Sequence, residues 1–249
     1  MTRIASHRGG TLEYGDSTLA GFTATAAMAL EEVEFDVHPT KDGDIIVHHD
    51  ATLERTTDMA GAIADLTTQA VLSAVINFSH NSRPILLQEL CELFDDSSVV
   101  FRCEFKPGAD GNPYQGFVPR VLDCLSKEDM LRTANFSSFL LDYLDEIAEH
   151  TDRPRLWLVS PAVLTQLGTR GVLEMARLRG IPEIGVNIDK ASPELMAATL
   201  DAGLEFGCWA AHSTAQISKA LDMGVKIFTT DRPSLAVAIR NQKREGTGQ

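Results

Sequence analysis

The chain is poor in cysteine, in basic residues and in long apolar runs, and each shortage excludes a class of protein. Its four cysteines (Cys91, Cys103, Cys124 and Cys208) are scattered without CxxC spacing. We therefore expect reduced, mostly buried thiols and a cytoplasmic location, not a disulfide-stabilised secreted protein. No apolar run approaches the ~18 residues of a membrane span. The first predicted strand begins at Arg3, which leaves no room for a signal peptide.

Acidic residues outnumber basic ones, 35 against 22, which gives a formal net charge of −13. Nucleic acids and anionic membranes bind basic surfaces, so the general surface of this chain is unsuited to both. An anionic substrate would need a local basic pocket. The hydrophobic content of 44% is enough for a full core and excludes global disorder.

Strand-like and helix-like segments alternate along the 249 residues. Eight such repeats in about 240 residues predict a TIM (β/α)8 barrel, with a doubly wound parallel sheet as the alternative. We expect a single domain over residues 1–249. Residues 51–84 are polar and irregular, and they are too long for a simple loop. They predict an insertion after the second strand that caps one end of the barrel.

Three further boundaries are predicted from local signals. A helix is expected over residues 18–30, with Ser17 or Asp16 as its N-cap. The fourth strand is expected over residues 131–136, and a loose tail over residues 245–249.

The second strand carries an unusual alternation. Val33, Phe35 and Val37 share one face, and Glu34 and Asp36 share the other. A parallel sheet covered by helices normally has two apolar faces, so two acids inside it would cost several kcal/mol each unless a cation compensated them. The pattern favours a metal site, and an exposed alternation is the alternative.

The third strand repeats this pattern, with Arg102, Glu104 and Lys106 on one face. Active sites of TIM barrels lie where the strands end, and polar residues stand at several predicted ends: His7, Arg8, Glu34, Asp36, Glu104, Lys106, Asn187, Asp189, Trp209 and Asp231. Three carboxylates at one mouth are hard oxygen ligands that suit Mg²⁺ or Ca²⁺.

The remaining groups suit chemistry on a phosphate. His7 and His49 are candidates for proton transfer, because imidazole titrates near neutral pH. Arg8 and Lys106 would supply the basic pocket that the surface lacks. Taken singly, each has a structural alternative: an ion pair, a core histidine, or a packed Trp209. Their joint occurrence at strand ends favours a functional site.

These residues fall in motifs that resemble the glycerophosphodiester phosphodiesterase family. The motifs are His-Arg-Gly at 7–9, Glu-x-Asp at 34–36, Thr-Lys-Asp-Gly at 40–43, Val-His-His-Asp at 47–50, Leu-x-Arg-Thr-Thr at 53–57, Glu-x-Lys-Pro at 104–107, Trp209 and Thr-Asp-Arg-Pro at 230–233. They span nearly the whole chain in the order in which the family has them.

The resemblance implies a TIM barrel with a small insertion after strand two, and a divalent metal, most simply Mg²⁺. The implied metal ligands are Glu34, Asp36 and Glu104. It also implies His7 and His49 as the acid–base pair. The implied contacts to the substrate and its phosphate are Arg8, Lys106 and Trp209.

Two departures lie near the mouth. Gly15-Asp16-Ser17-Thr18 stands where the family usually has Pro-Glu-Asn-Thr, so Asp16 is one methylene shorter than expected. Ala210-Ala211-His212 replaces the frequent Thr-Val-Asn. We expect both to affect the choice of substrate rather than the chemistry.

The sequence therefore predicts metal-dependent hydrolysis of a glycerophosphodiester to sn-glycerol 3-phosphate and an alcohol, in lipid and glycerol metabolism. The alternatives are another head group such as a sugar phosphodiester, a lyase-type phospholipase, and a barrel that binds phosphodiesters without turnover. Neighbours on an extended segment face opposite sides, so only one of His48 and His49 can face the metal. The resemblance implies that it is His49, which directly precedes Asp50 as the catalytic histidine does in the family's His-Asp motif. His48 stands where the family usually has an apolar residue, and we expect it to pack under the insertion.

Overall fold

A closed ring of parallel strands surrounded by helices forms the protein. The computed structural model describes residues 1–77, 79 and 81–246. The strands are β1 (Arg3–His7), β2 (Glu32–Pro39), β3 (Ile45–Val47), β4 (Ile85–Leu86), β5 (Val100–Phe105), β6 (Asn135–Ser138), β7 (Arg155–Val159), β8 (Glu183–Asn187), β9 (Glu205–Trp209) and β10 (Ile227–Thr230).

The helices are α1 (Thr11–Tyr14), α2 (Leu19–Ala26), α3 (Thr68–Leu72), α4 (Leu87–Phe94), α5 (Phe117–Lys127), α6 (Leu141–His150), α7 (Pro161–Leu178), α8 (Pro193–Asp201), α9 (Thr214–Met223) and α10 (Pro233–Gly246). A 3₁₀ turn lies at Ile63–Asp65. None of the helices in the described part of the chain is both long and apolar enough to cross a membrane.

The ring runs β1-β10-β9-β8-β7-β6-β5-β2 and closes because β1 also pairs with β2. All of these neighbours are parallel, whereas β3 and β4 extend β2 as antiparallel strands. Eight parallel strands in a closed ring are a TIM barrel, as predicted. Ring closure excludes the doubly wound sheet.

The apolar face of each strand packs outward against the helices. Val33, Phe35 and Val37 of β2 lie in the main apolar cluster, together with Phe101 and Phe105 of β5. Burial of each such side chain contributes about 1.5–3 kcal/mol. The opposite faces of these strands therefore point into the barrel, and these are the faces that carry the charged residues.

A network of buried charges closes the bottom of the barrel. Glu32 lies 2.6 Å from Arg102 Nε and 2.9 Å from Arg3 Nη2. Glu183 lies 2.6 Å from Lys226 Nζ and 3.8 Å from Arg102 Nη2. Arg102, Glu32 and Glu183 are at most 3% exposed. This pairing compensates charges that would be costly to bury alone.

The start of α2 corrects one prediction. Its N-cap is Thr18, whose Oγ1 accepts a hydrogen bond from Gly21 N at 3.0 Å, and not Ser17 or Asp16. An N-cap residue has extended backbone, whereas Ser17 has φ 55°. The helix ends at Ala26 and not at residue 30. The short helix α1 before it was not predicted.

The fourth barrel strand lies later than expected, at Asn135–Ser138 instead of residues 131–136. The N–H of Leu131 donates to Leu125 O, and the N–H of Ala134 donates to Met130 O, so this segment is a turn after α5.

At the other end, α10 continues to Gly246 through the start of the predicted tail. Residues 247–249 of that tail lie outside the described residues, as do Phe78 and His80 of the predicted insertion.

Candidate active site

Three carboxylates meet at the mouth of the barrel. Glu34 and Asp36 come from β2, and Glu104 comes from β5, where it is the register partner of Asp36. One oxygen atom from each lies within 4.8 Å of the others. All three residues are at most 4% exposed. Their convergence follows from the period-two alternation of two neighbouring strands.

Two cations compensate part of this charge. Lys106 Nζ lies 2.5 Å from Glu104 Oε1 and 3.2 Å from Asp36 Oδ1. Arg8 Nε lies 3.0 Å from Asp36 Oδ2. Burial alone would raise the pKa of Asp36, but Lys106 and Arg8 outweigh it and hold that pKa well below its ordinary value.

Glu34 lacks such compensation. Its two carboxylate oxygens have no hydrogen-bond partner among the described residues. Burial and the charges of Asp36 and Glu104 raise the pKa of Glu34 well above its ordinary value. Burial also raises the pKa of Glu104, to about 6, although Lys106 opposes it. Unpaired buried oxygens beside two further carboxylates fit a divalent cation with hard ligands.

His7 lies at the end of β1, beside this cluster. Its Nδ1 contacts Asp231 Oδ1, and its Nε2 lies 3.7 Å from Glu34 Oε2. Burial and the charge of Arg8 lower the pKa of His7, and Asp231 opposes them. His212 Nδ1 accepts a hydrogen bond of 3.0 Å from the Asp231 N–H. Asp231 therefore orients the His7 ring, and His212 contacts the backbone of the same aspartate.

His49 is held in a similar way. Its Nδ1 contacts Asp50 Oδ1, and Arg55 Nε contacts the other oxygen of Asp50. Asp16 Oδ2 lies 3.2 Å from Arg8 Nη1 and 3.4 Å from Arg55 Nη2, which links the two arginines. Burial lowers the pKa of His49 to about 4, although Asp36 opposes it.

His48 points elsewhere. Its Nε2 lies 2.7 Å from Thr56 Oγ1, inside the predicted insertion, and its Nδ1 lies 2.8 Å from Asp50 O. The residue is 3% exposed. The two adjacent histidines therefore face opposite sides of the chain, as expected for an extended segment.

A cavity of about 260 Å³ opens above the carboxylates. It is lined by His7, Arg8, Glu34, His49, Glu104, Lys106, Ser137, Phe139, Leu158, Trp209, Ala210 and Thr229. Phe139 and Trp209 form an apolar wall with their ring centroids 5.6 Å apart. Trp209 Nε1 donates to Gly185 O at 3.2 Å, which fixes the indole ring. One side of the cavity is therefore charged, and the other is largely apolar.

A family model for the glycerophosphoryl diester phosphodiesterase family matches residues 7–235. The chain belongs to this family. The predicted membership is thereby confirmed, and with it the class of enzyme, a phosphoric diester hydrolase acting on glycerophosphodiesters.

Similar proteins cover nearly the whole chain. A structure from Agrobacterium tumefaciens, described as a candidate glycerophosphoryl diester phosphodiesterase, is 62% identical with a TM-score of 0.98 and covers 98% of this chain and 99% of its own. The glycerophosphodiester phosphodiesterase of Caldanaerobacter subterraneus is 24% identical, with 95% of this chain and 96% of the relative covered. An Oleispira antarctica phosphodiesterase, solved with the product sn-glycerol-3-phosphate, shares the fold at 18% identity, a TM-score of 0.79 and 97% coverage of both chains.

The structure brings together all eight predicted site residues: His7, Arg8, Glu34, Asp36, His49, Glu104, Lys106 and Trp209. Asn187 and Asp189, which also stand at a strand end, do not line the cavity. Asn187 Oδ1 accepts from Asp189 N, and Asp189 Oδ1 accepts from Gln216 Nε2.

Sequence reasoning assigned no function to Asp50, Asp231, Ser137 and Phe139, although each contacts a site histidine or lines the cavity. Asp50 and Asp231 stand within the motifs, and Asp231 was noted at a predicted strand end, but neither was given a role. Ser137 and Phe139 were missed because the fourth strand was predicted too early, which moved its end away from them. The correct end of that strand would have been the signal for both.

Proposed function

We propose that this enzyme hydrolyses a glycerophosphodiester to sn-glycerol 3-phosphate and an alcohol, with a divalent cation held by Glu34, Asp36 and Glu104. The observation that carries the proposal is the pair of buried oxygens of Glu34 that have no hydrogen-bond partner among the described residues. One of them, Oε2, lies 3.7 Å from His7 Nε2. A bound divalent cation would supply Lewis-acid chemistry, which offsets charge on a phosphodiester and makes a nearby hydroxyl group more acidic.

Arg8 and Lys106 suit the phosphate. Both line the cavity, and both are held in place by contacts with Asp36. Because these side chains are anchored before substrate arrives, their charges need little reorganisation to stabilise the additional charge of the transition state.

His7 and His49 serve as the acid–base pair in this proposal. In each, Nδ1 contacts a carboxylate, which leaves Nε2 for proton exchange. The imidazole that acts as base is neutral, and its Nε2 takes the proton of a glycerol hydroxyl group as that oxygen attacks phosphorus. The imidazole that acts as acid is protonated on both nitrogens, and its Nε2–H protonates the alkoxide that leaves as its bond to phosphorus breaks. This first step leaves a cyclic phosphate. Water then attacks its phosphorus and gives a proton to the imidazole that acted as acid, while the other imidazole protonates the glycerol oxygen released as the ring opens. Both histidines thereby return to their starting protonation states.

Mg²⁺ is the proposed cation, and Ca²⁺ is the alternative, since both prefer carboxylate oxygen. A different head group, such as a sugar, is the second candidate for the leaving alcohol, because Ala210, which belongs to one of the two departures from the family motifs, lines the cavity. A binding protein without turnover has no need of two carboxylate-oriented histidines. The four free thiols support a reducing compartment and thus the cytoplasm.

The test is a panel of glycerophosphodiesters with different alcohols, each followed by a coupled assay specific for sn-glycerol 3-phosphate. We expect the release of sn-glycerol 3-phosphate from at least one member, with rates that vary with the alcohol. Release of glycerol and a phosphomonoester of the alcohol would overturn the proposed position of bond cleavage.

A further inference from the structure

Ser137 lines the cavity, and its hydroxyl group makes no hydrogen bond within the described part of the chain. It lies on β6 as the register partner of Glu104 and lines the cavity beside Phe139 and Leu158. The residue is 1% exposed. Its Oγ has no hydrogen-bond partner in the part of the chain that the structure describes.

The neighbouring Ser138 shows what a structural serine does on this strand. Its Oγ donates to Phe105 O at 2.8 Å and accepts from Leu140 N at 3.0 Å. A buried hydroxyl group is normally paired in this way, because an unpaired one loses its bonds to water without compensation. Ser137 is the exception on the strand, and its hydroxyl group is directed at the site.

The other hydroxyl side chain that lines the cavity is already engaged. Thr229 Oγ1 accepts a hydrogen bond of 3.4 Å from Ala210 N. A phosphate has Arg8 and Lys106 as its charged partners. Ser137 is uncharged, can both donate and accept, and lies beside an apolar wall. These properties suit a neutral hydroxyl group on a small carbon skeleton.

We propose that Ser137 Oγ binds the terminal hydroxyl group of the glycerol moiety, the one that does not attack phosphorus. The inference rests on the proposed function and deepens it, because it names a residue that selects the glycerol skeleton. That hydroxyl group loses its hydrogen bonds to water when the substrate enters the cavity, so it needs a polar partner there. A site that pairs a substrate hydroxyl rejects analogues that lack it.

The test compares wild type with Ser137→Ala on two phosphodiesters that share one leaving alcohol. The first is the glycerophosphodiester, and the second is its 2-hydroxyethyl analogue, which keeps the attacking hydroxyl group and lacks the terminal one. We expect Ser137→Ala to lower kcat/KM about tenfold on the first substrate, the order of one lost hydrogen bond. On the analogue the loss should be less than about twofold, as a double-mutant cycle requires.

Ser138→Ala is the matched control for folding. It should lower the Tm, because Phe105 O and Leu140 N lose their partner, while the preference for the glycerophosphodiester over the analogue stays that of wild type. Ser137→Ala should melt at or above the wild-type Tm, since it removes an unpaired buried group. A fall in Tm for Ser137→Ala equal to that for Ser138→Ala would indicate a structural role and overturn the inference.

Two kinetic results would also overturn it. Wild-type kinetics for Ser137→Ala on the glycerophosphodiester would mean that Ser137 makes no contact with substrate. Equal losses on both substrates would place Ser137 on the phosphate or on the attacking hydroxyl group. If wild type itself releases no sn-glycerol 3-phosphate from any diester, the proposed function fails first, and this result is visible before any variant is made.

Discussion

Asp231 Oδ1 contacts His7 Nδ1 and thereby joins the end of the last barrel strand to the end of the first. A carboxylate can only accept, so Nδ1 carries a proton, and Nε2 holds a lone pair when the ring is neutral and a proton when the ring is charged. Asp50 does the same for His49. Two imidazoles, each held at Nδ1 by its own carboxylate, therefore line the cavity and can serve as one base and one acid.

We expect Asp231→Asn to lower kcat about 10²-fold, because the amide no longer favours the Nδ1–H tautomer or an imidazolium at His7. Steady-state kinetics on the best glycerophosphodiester will measure the loss. Asp189→Asn is the control, since Asp189 bonds Gln216 outside the cavity, and its kcat should be that of wild type. Full activity of Asp231→Asn would show that the Asp231 carboxylate is not needed to orient His7.

The proposed metal site predicts opposite effects on stability for the removal of two of its charges. In EDTA, Glu34→Gln should raise the Tm, because it removes an unpaired buried charge whose pKa is raised. Asp36→Asn should instead lower stability, by about 3–5 kcal/mol for a broken buried pair, because Lys106 and Arg8 lose their shared partner. The stability of Glu104→Gln in EDTA should lie between those of the other two variants, since Glu104 has one cationic partner.

Addition of Mg²⁺ should raise the Tm of wild type, and this increase should be absent in Glu34→Gln and Asp36→Asn. Both variants should also lose most turnover, and EDTA should abolish it in wild type. Calorimetry with and without Mg²⁺ measures the Tm of each variant, and an activity assay under the same conditions measures turnover. Turnover in excess EDTA by a metal-free preparation would contradict the proposed cation.

The pKa of His49 gives a prediction for pH. Burial disfavours the charged ring and lowers this pKa to about 4, so His49 should be neutral from pH 8 to about pH 5. The ¹H–¹⁵N correlations of the imidazole should keep the pattern of the Nδ1–H tautomer over this range. Asp50→Asn removes a group that favours the charged ring, so it should lower the pKa further. A midpoint near 6.5 in wild type would show that the ring is not buried as described.

The floor of the barrel predicts a purely structural effect. Arg102→Met removes the 2.6 Å contact with Glu32 and the 3.8 Å contact with Glu183. It should therefore lower the free energy of unfolding, measured with urea, by about 3–5 kcal/mol. Arg132→Met breaks an exposed pair with Asp129, which water screens, so its urea midpoint should be that of wild type. Similar losses in the two variants would mean that the buried network contributes little.

The sequence was sufficient for the barrel and for the convergence of three carboxylates at its mouth, because both follow from local periodicity. Eight repeats imply the ring, and the alternation around Glu34 and Asp36 places both on the inner face. The partner of His7 could not be found in this way, because Asp231 lies 224 residues away and only ring closure makes them neighbours. Ser137 was missed for a local reason, since a strand end displaced by two residues changes which side chains reach the mouth.

Two adjacent histidines allow the strand register to be tested directly. We expect His49→Ala to lose about 10²–10⁴-fold in turnover, the usual cost of removing a general acid or base, while the Mg²⁺-induced increase in Tm is kept. His48→Ala should stay within about tenfold of wild-type turnover. It should nevertheless lower stability by about 1–3 kcal/mol, because Thr56 Oγ1 and Asp50 O lose their buried partner. Circular dichroism will show that both variants are folded before their rates are compared. An inactive His48→Ala beside a fully active His49→Ala would mean that the segment is turned by one residue, with His48 at the cavity and His49 against the insertion.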